Sequence, residues 1–92
     1  MKSILQDEKE CYECGARVNL HEHHVYYSAN RKISEKNGFK VLLCGRHHNQ
    51  SNDGVHCGNH SLDLKLKQDC QKAYERTHSR EEFIKLIGRS YL

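Results

Sequence analysis

Cys11-x2-Cys14 and Cys44-x2-His47 both have the spacing of a metal knuckle, in which one tight turn offers two ligands to the same ion. Together they supply three thiolates and one imidazole. That donor set fills the tetrahedral shell of Zn²⁺ and leaves no position for a substrate, so the chemistry it implies is structural. Cys57-x2-His60 repeats the spacing and is the rival for the second pair. Cys44-x2-His47 is preferred because it directly follows the apolar run 39–43, a strand able to hold the turn. A zinc ion bound this way contributes on the order of 10 kcal/mol to folding.

A second set of donors begins at His21-Glu22-His23-His24. In a strand, neighbouring side chains project to opposite sides, so one of His23 and His24 can hold a metal while the other addresses a water. Hydrolysis of a phosphodiester needs that division. His48, next to the zinc ligand His47, and His56, beyond the turn Asn52-Asp53-Gly54, are imidazoles that the zinc site does not use. They are candidates for a separate site with open positions, suited to Zn²⁺ or Ni²⁺, and to Mg²⁺ or Mn²⁺ where water and phosphate complete the shell. The plainer alternatives are a polar surface strip for residues 21–24 and, for His56, a turn residue bonded to backbone carbonyls.

Elements must hold these residues, and the composition says how. Of the 92 residues, 36% are hydrophobic and 29% charged, with no Trp and no Pro, so a single domain is expected whose apolar core is a thin source of stability. Five Cys among eight His, an odd count with no secretory h-region ahead of it, favour metal-binding thiols in a reducing, intracellular protein over disulfides. No apolar run nears the roughly 20 residues of a membrane span, so no membrane partner is expected. The net charge of +3 permits a polyanionic partner.

Residues 1–10 read as a flexible arm and 11–92 as the domain. Val18, Leu20 and Val25 mark a first strand and 39–43 a second, joined by a polar, basic loop over 28–38 with at most one helical turn, ending at Gly38. Residues 49–58 are turn-rich. From Ser61, the expected N-cap, Leu62, Leu66, Cys70 and Ala73 fall on one helical face. Ser79 and Glu82 form a capping box for a second helix with the apolar stripe Phe83, Ile84 and Ile87, closed by Gly88. Cys70 is assigned to core packing, and His21, His60 and His78 to the surface or to supporting roles.

Taken together, Cys11-x2-Cys14, His23-His24-Val25 and Leu43-Cys44-x2-His47-His48-Asn49 resemble the HNH (ββα-metal) endonucleases, in particular the short HNH proteins of bacteriophages and prophages. The similarity runs from His23 through His56 and on through SREEFIKLIGRSYL, so it covers nearly the whole chain from Cys11 onward. The resemblance implies an α+β fold, a zinc-stabilised two-stranded hairpin followed by C-terminal helices. It also implies a metal-dependent DNA endonuclease, nicking or cutting both strands, in the cytoplasm of a bacterial host. Its products would carry 5′-phosphate and 3′-hydroxyl ends.

In that family the roles fall on His24 as general base and on His23 and His48 as ligands of a catalytic Mg²⁺, Mn²⁺, Ni²⁺ or Zn²⁺. Many members place a further ligand four residues after His48. That position is Asn52 here, which leaves the third ligand between His56, the first choice, and Asn52. The Asn that orients the base is also displaced, since Phe39 stands at its usual position; Asn30 is the preferred substitute and Asn37 the other. Arg31, Lys32, Lys36 and Lys40, in and beside the inter-strand segment, are expected to meet DNA phosphates, with a solvated basic face as the alternative. Two rival readings stand beside the nuclease: a non-catalytic zinc module that binds DNA or protein, and an assembly protein of phage packaging that uses the helices from Ser61 onward.

Overall fold

Strands β1 (Leu20–His24) and β2 (Lys40–Cys44) pair antiparallel, with His23 opposite Val41 and His24 opposite Lys40. The computed structural model describes residues 2–92. Residues directly opposite in such a pair share a face of the sheet. Val41 and Leu43, both fully buried, therefore share the core face with His21 and His23, while Glu22, His24 and Lys40 share the other. Val18, expected on the first strand, precedes it and is exposed.

The connection between the strands differs from expectation. Instead of a loop, a 3₁₀ turn (Ser28–Asn30) leads into a two-turn helix, α1 (Arg31–Asn37). Arg, Lys and Glu favour helix without an apolar stripe to announce it, and the inward positions of α1 are a half-buried Ile33 and a buried Ser34. The Ser34 hydroxyl donates to Tyr26 O and accepts from Tyr26 N, so a polar residue fixes the helix to the strand end. Gly38, at φ 72°, closes α1 in the left-handed conformation.

β2 runs straight into the single turn α2 (Gly45–His48), followed by a 3₁₀ turn (Val55–Cys57), α3 (His60–Tyr74) and α4 (Arg80–Ile87). The N-cap of α3 is Asn59, not Ser61: its Oδ1 accepts from Leu62 N at 3.1 Å, and its amide donates to Asp53 O at 2.9 Å. That second bond ties the helix start to the preceding turn, and Ser61 lies inside the helix as its second residue. Leu62, Leu66 and Cys70 are buried as expected, and Ala73 is half-buried. The Ser79–Glu82 capping box of α4 is present, and Phe83 and Ile87 face the core, but Ile84 is 40% exposed.

Tyr26 is the hub of the core. Its ring lies 5.6 Å from each of Phe39, Phe83 and Tyr91, and its hydroxyl donates to Lys67 O at 2.7 Å. The fully buried Gln71 has its polar atoms satisfied, donating to Glu75 and Ser90 and accepting from Tyr91 N, so the C-terminal tail is locked over the core. Residues 2–10, expected as a flexible arm, lie along β2 on the edge away from β1. Ile4 N donates to Gly38 O, the Ser3 hydroxyl to Lys40 O, and Leu42 N to the Gln6 side chain. No helix among the described residues is long and apolar enough to cross a membrane.

The burial pattern of α4 predicts unequal costs for two adjacent truncations in urea unfolding of the metal-loaded protein. Phe83→Ala should cost about 3–5 kcal/mol, and Ile84→Ala should stay within about 0.5 kcal/mol of wild type.

Candidate metal centre and the cleft beside it

Cys11, Cys14, Cys44 and His47 converge so that one ligand atom from each lies within 4.8 Å of the other three. Cys14 Sγ is 3.8 Å from Cys44 Sγ, and His47 Nδ1 is 3.4 Å from Cys44 Sγ and 3.8 Å from Cys11 Sγ. Zn–S bonds of about 2.3 Å at tetrahedral angles set sulfurs about 3.8 Å apart, so the group is already spaced for one ion. Burial resists ionisation of Cys11, but the backbone around it, at Cys44, Cys14 and Glu13, outweighs burial and brings the thiol down to about 7. The four side chains can hold a metal ion. Cys57 and His60, the rival pair, are exposed and outside the group.

A second convergence lies across α2. His23 from β1, His48 from the end of α2 and His56 from the following 3₁₀ turn bring ring nitrogens within 4.8 Å of one another. Their ring centroids are 4.8 to 5.5 Å apart. Gly54 sets the approach of the last segment: a Cβ there would stand 2.7 Å from His48 O and 3.1 Å from Asn49 N, against backbone that cannot swing aside. Asn52 is exposed and does not line the cleft over these rings, and of the two alternatives for a third donor it is His56 that the fold brings to His23 and His48.

His23 is 2% exposed, and its Nε2 is buried without a hydrogen-bond partner among the described residues. An unsatisfied buried polar atom costs about 1–3 kcal/mol, and a cation is the partner for which three facing imidazoles are suited. Burial, reinforced by His56 and His48, pushes His23 down to about 3. Burial, reinforced by His56 and His21, pushes His48 down to about 4. Both rings are neutral near pH 7, the form that donates a lone pair to a metal. His48 is oriented in turn by His21, whose Nδ1 lies 2.8 Å from His48 Nδ1 and whose Nε2 lies 3.2 Å from Asn19 Oδ1. With Nδ1 so engaged, Nε2 is the free donor of His48, and His21 supports the group rather than decorating the surface.

A cleft of about 250 Å³ opens over these rings, lined by His23, His48 and His56 together with Glu22, His24, Tyr27 and Arg31. His24 lines it from the residue next to His23, and its Nε2 is 3.2 Å from Glu35 Oε1. Neither Asn expected to orient His24 does so. The Asn30 amide donates to Ile87 O at 2.9 Å, tying the 3₁₀ turn before α1 to the end of α4, and the Asn37 amide donates to Ile33 O at 2.8 Å within its own helix. The side chain bonded to His24 is Glu35, which the sequence did not single out. Reading 28–38 as a loop hid it, because only a helix from Arg31 brings residue 35 back beside the strand end.

The basic residues separate in the same way. Lys40, expected on DNA, has a buried side chain whose ammonium bonds Glu35 and, at 3.0 Å, Glu22; it is not a free cation. Lys36 is exposed but lines a depression formed with residues 2–4, outside the cleft, and Lys32 is exposed without lining the cleft. Arg31 alone of the four is on the cleft wall. Tyr27, not singled out from sequence, is there too, its hydroxyl bonded to Asp63 and Lys67.

Because Gly54 sets the backbone spacing between His48 and His56, Gly54→Ala should weaken binding of a second equivalent of Co²⁺ by about 10-fold, the scale of a lost supporting contact. Visible-spectrum titration checks this. The first equivalent, with its thiolate bands, should bind as in wild type, and an unchanged second equivalent would contradict the placement of His56.

Compared with protein-family models, with curated proteins and with solved structures, this chain finds no match.

Proposed function

We propose that this protein is a metal-dependent DNA endonuclease of the HNH type. Cys11, Cys14, Cys44 and His47 hold a structural Zn²⁺, and His23, His48 and His56 hold the divalent ion of a hydrolytic site. The observation that carries this reading is the buried, unpartnered Nε2 of His23 facing the rings of His48 and His56, with His24 lining the same cleft one residue along β1. A thiolate-rich set of four donors closes a coordination shell, whereas three imidazoles leave positions for water and a phosphate oxygen. Neutral nitrogen donors favour transition ions such as Zn²⁺, Ni²⁺ or Mn²⁺ over Mg²⁺, which prefers oxygen.

A divalent ion bound there supplies Lewis-acid stabilisation of the charge that develops on the phosphodiester oxygens. The remaining work belongs to side chains of this protein. His24 takes a proton from the water that attacks phosphorus. Arg31, exposed on the cleft wall, grips a phosphate with its guanidinium, a fork suited to paired oxygens. With Lys40 committed to Glu22 and Glu35, few cations are left near the cleft, so binding is weak, salt-sensitive and blind to sequence.

A general base contributes about 10²- to 10⁴-fold, and His24→Ala should lose that factor in relaxation of supercoiled plasmid while still binding two ions per chain. Wild-type protein that cuts with none of Mg²⁺, Mn²⁺, Ni²⁺ or Zn²⁺ would overturn the hydrolase and leave a zinc module that only binds.

A further inference from the structure

The face of the sheet opposite the core carries a group of charges around His24 that the hydrolytic reading does not yet use. Glu22, His24 and Lys40 lie there together, and Glu35 of α1 closes over them. His24 has a side chain only 12% exposed, and the one hydrogen bond at its Nε2 goes to Glu35 Oε1 at 3.2 Å. Glu35 Oε2 is taken by Lys40, which sits opposite His24 in the register and also bonds Glu22.

Each partner in this chain has a fixed sense. An ammonium has no lone pair and only donates; an ionised carboxylate only accepts. The hydrogen bond from Lys40, with that from His24, holds Glu35 below the usual carboxylate range, so it is ionised. His24 Nε2 must then be the donor. A neutral imidazole has a single ring proton, and placing it on Nε2 leaves Nδ1 bare.

We propose that Glu35 is the positioning residue of the base: it fixes His24 with the proton on Nε2 and Nδ1 free to take one from water, while Lys40 fixes which carboxylate oxygen does so. This rests on the reading of His24 as the base. When Nδ1 takes the proton, the imidazolium forms beside two carboxylates and one ammonium, whose net charge of about −1 balances it at short range. Lys40 thus belongs to the hydrolytic machinery through Glu35, not to the DNA contact surface.

The chain of donors makes Glu35→Gln a directional test. The Lys40 ammonium tolerates only the amide oxygen, so the amide NH₂ turns to His24 Nε2, which must now accept. The ring proton moves to Nδ1 and blocks the base. In the double variant Glu35→Gln with Lys40→Met, nothing holds the amide oxygen away, so either end of the amide can face Nε2 and the ring proton returns to Nε2 in part.

Long-range ¹H–¹⁵N spectra of the zinc-loaded protein read the protonated nitrogen of His24 directly, and plasmid relaxation is measured on the same samples. The expected results are Nε2–H in wild type, Nδ1–H in Glu35→Gln with relaxation lowered about 10²-fold or more, and a partial return of Nε2–H in the double variant with relaxation partly regained. Glu35→Ala, which leaves no partner, should show both tautomers. A folded Glu35→Gln that keeps Nε2–H, or an Ala variant with wild-type nitrogen shifts, would overturn the proposal. The spectra report on Glu35 whether or not the protein cuts. Tautomers that move as expected without wild-type cleavage overturn the nuclease alone, and cleavage with unmoved tautomers overturns the role of Glu35 alone.

Discussion

His47 and His48 are consecutive residues of one helical turn, and their rings go to different groups: His47 to the three cysteines, His48 to His23 and His56. This shared turn is the constraint on which the rest depends. The knuckle that can tie Cys11 and Cys14 to the end of β2 also sets where His48 points, so the thiol group and the imidazole group cannot be adjusted separately. An ion at the first group would stabilise a small domain with a thin core, and the second group would share that rigidity. His21, bonded to His48 and to Asn19, and Gly54, lying on the His48 carbonyl, fix what the turn leaves free.

The sheet has only two strands, but its two faces carry different chemistry. On the core face His23 is buried beside Val41 and Leu43, desolvated and neutral, with its Nε2 lacking a partner among the described residues, which suits a ligand. On the other face His24 is set among charges and hydrogen-bonded, which suits a proton acceptor whose conjugate acid must be stabilised. Strand alternation alone separates neighbours into these two environments. Such a division asks only that β1 be held in register, and its pairing with β2, itself flanked on the far edge by residues 2–10, provides that.

What could be read from the sequence was what is local. Each knuckle brings two donors together within one turn, so Cys11, Cys14, Cys44 and His47 follow from spacing, and the α4 cap follows from Ser79 and Glu82 in the same way. Non-local features were less legible. His56 could be named but not placed, because nothing in the spacing from His48 says that the intervening turn folds back to lay Gly54 on the His48 carbonyl. Helix α1 escaped because its inward contact is a serine bonded to Tyr26, not an apolar stripe, and with it went Glu35 as the partner of His24. Lys40 read as a free cation because its two carboxylates come from β1 and α1. Hydrophobic periodicity likewise does not report the bonds by which Ser3, Ile4 and Gln6 dock on Lys40, Gly38 and Leu42.

Anomalous diffraction from crystals grown with Zn²⁺ and then soaked in Mn²⁺ measures the central claim most directly. The account predicts two peaks per chain, a zinc peak among Cys11, Cys14, Cys44 and His47, and a second, exchangeable peak within bonding distance of His23 Nε2, His48 and His56. A single peak at the cysteines, with the His23 nitrogen bonded to a water or a protein group instead, would contradict it.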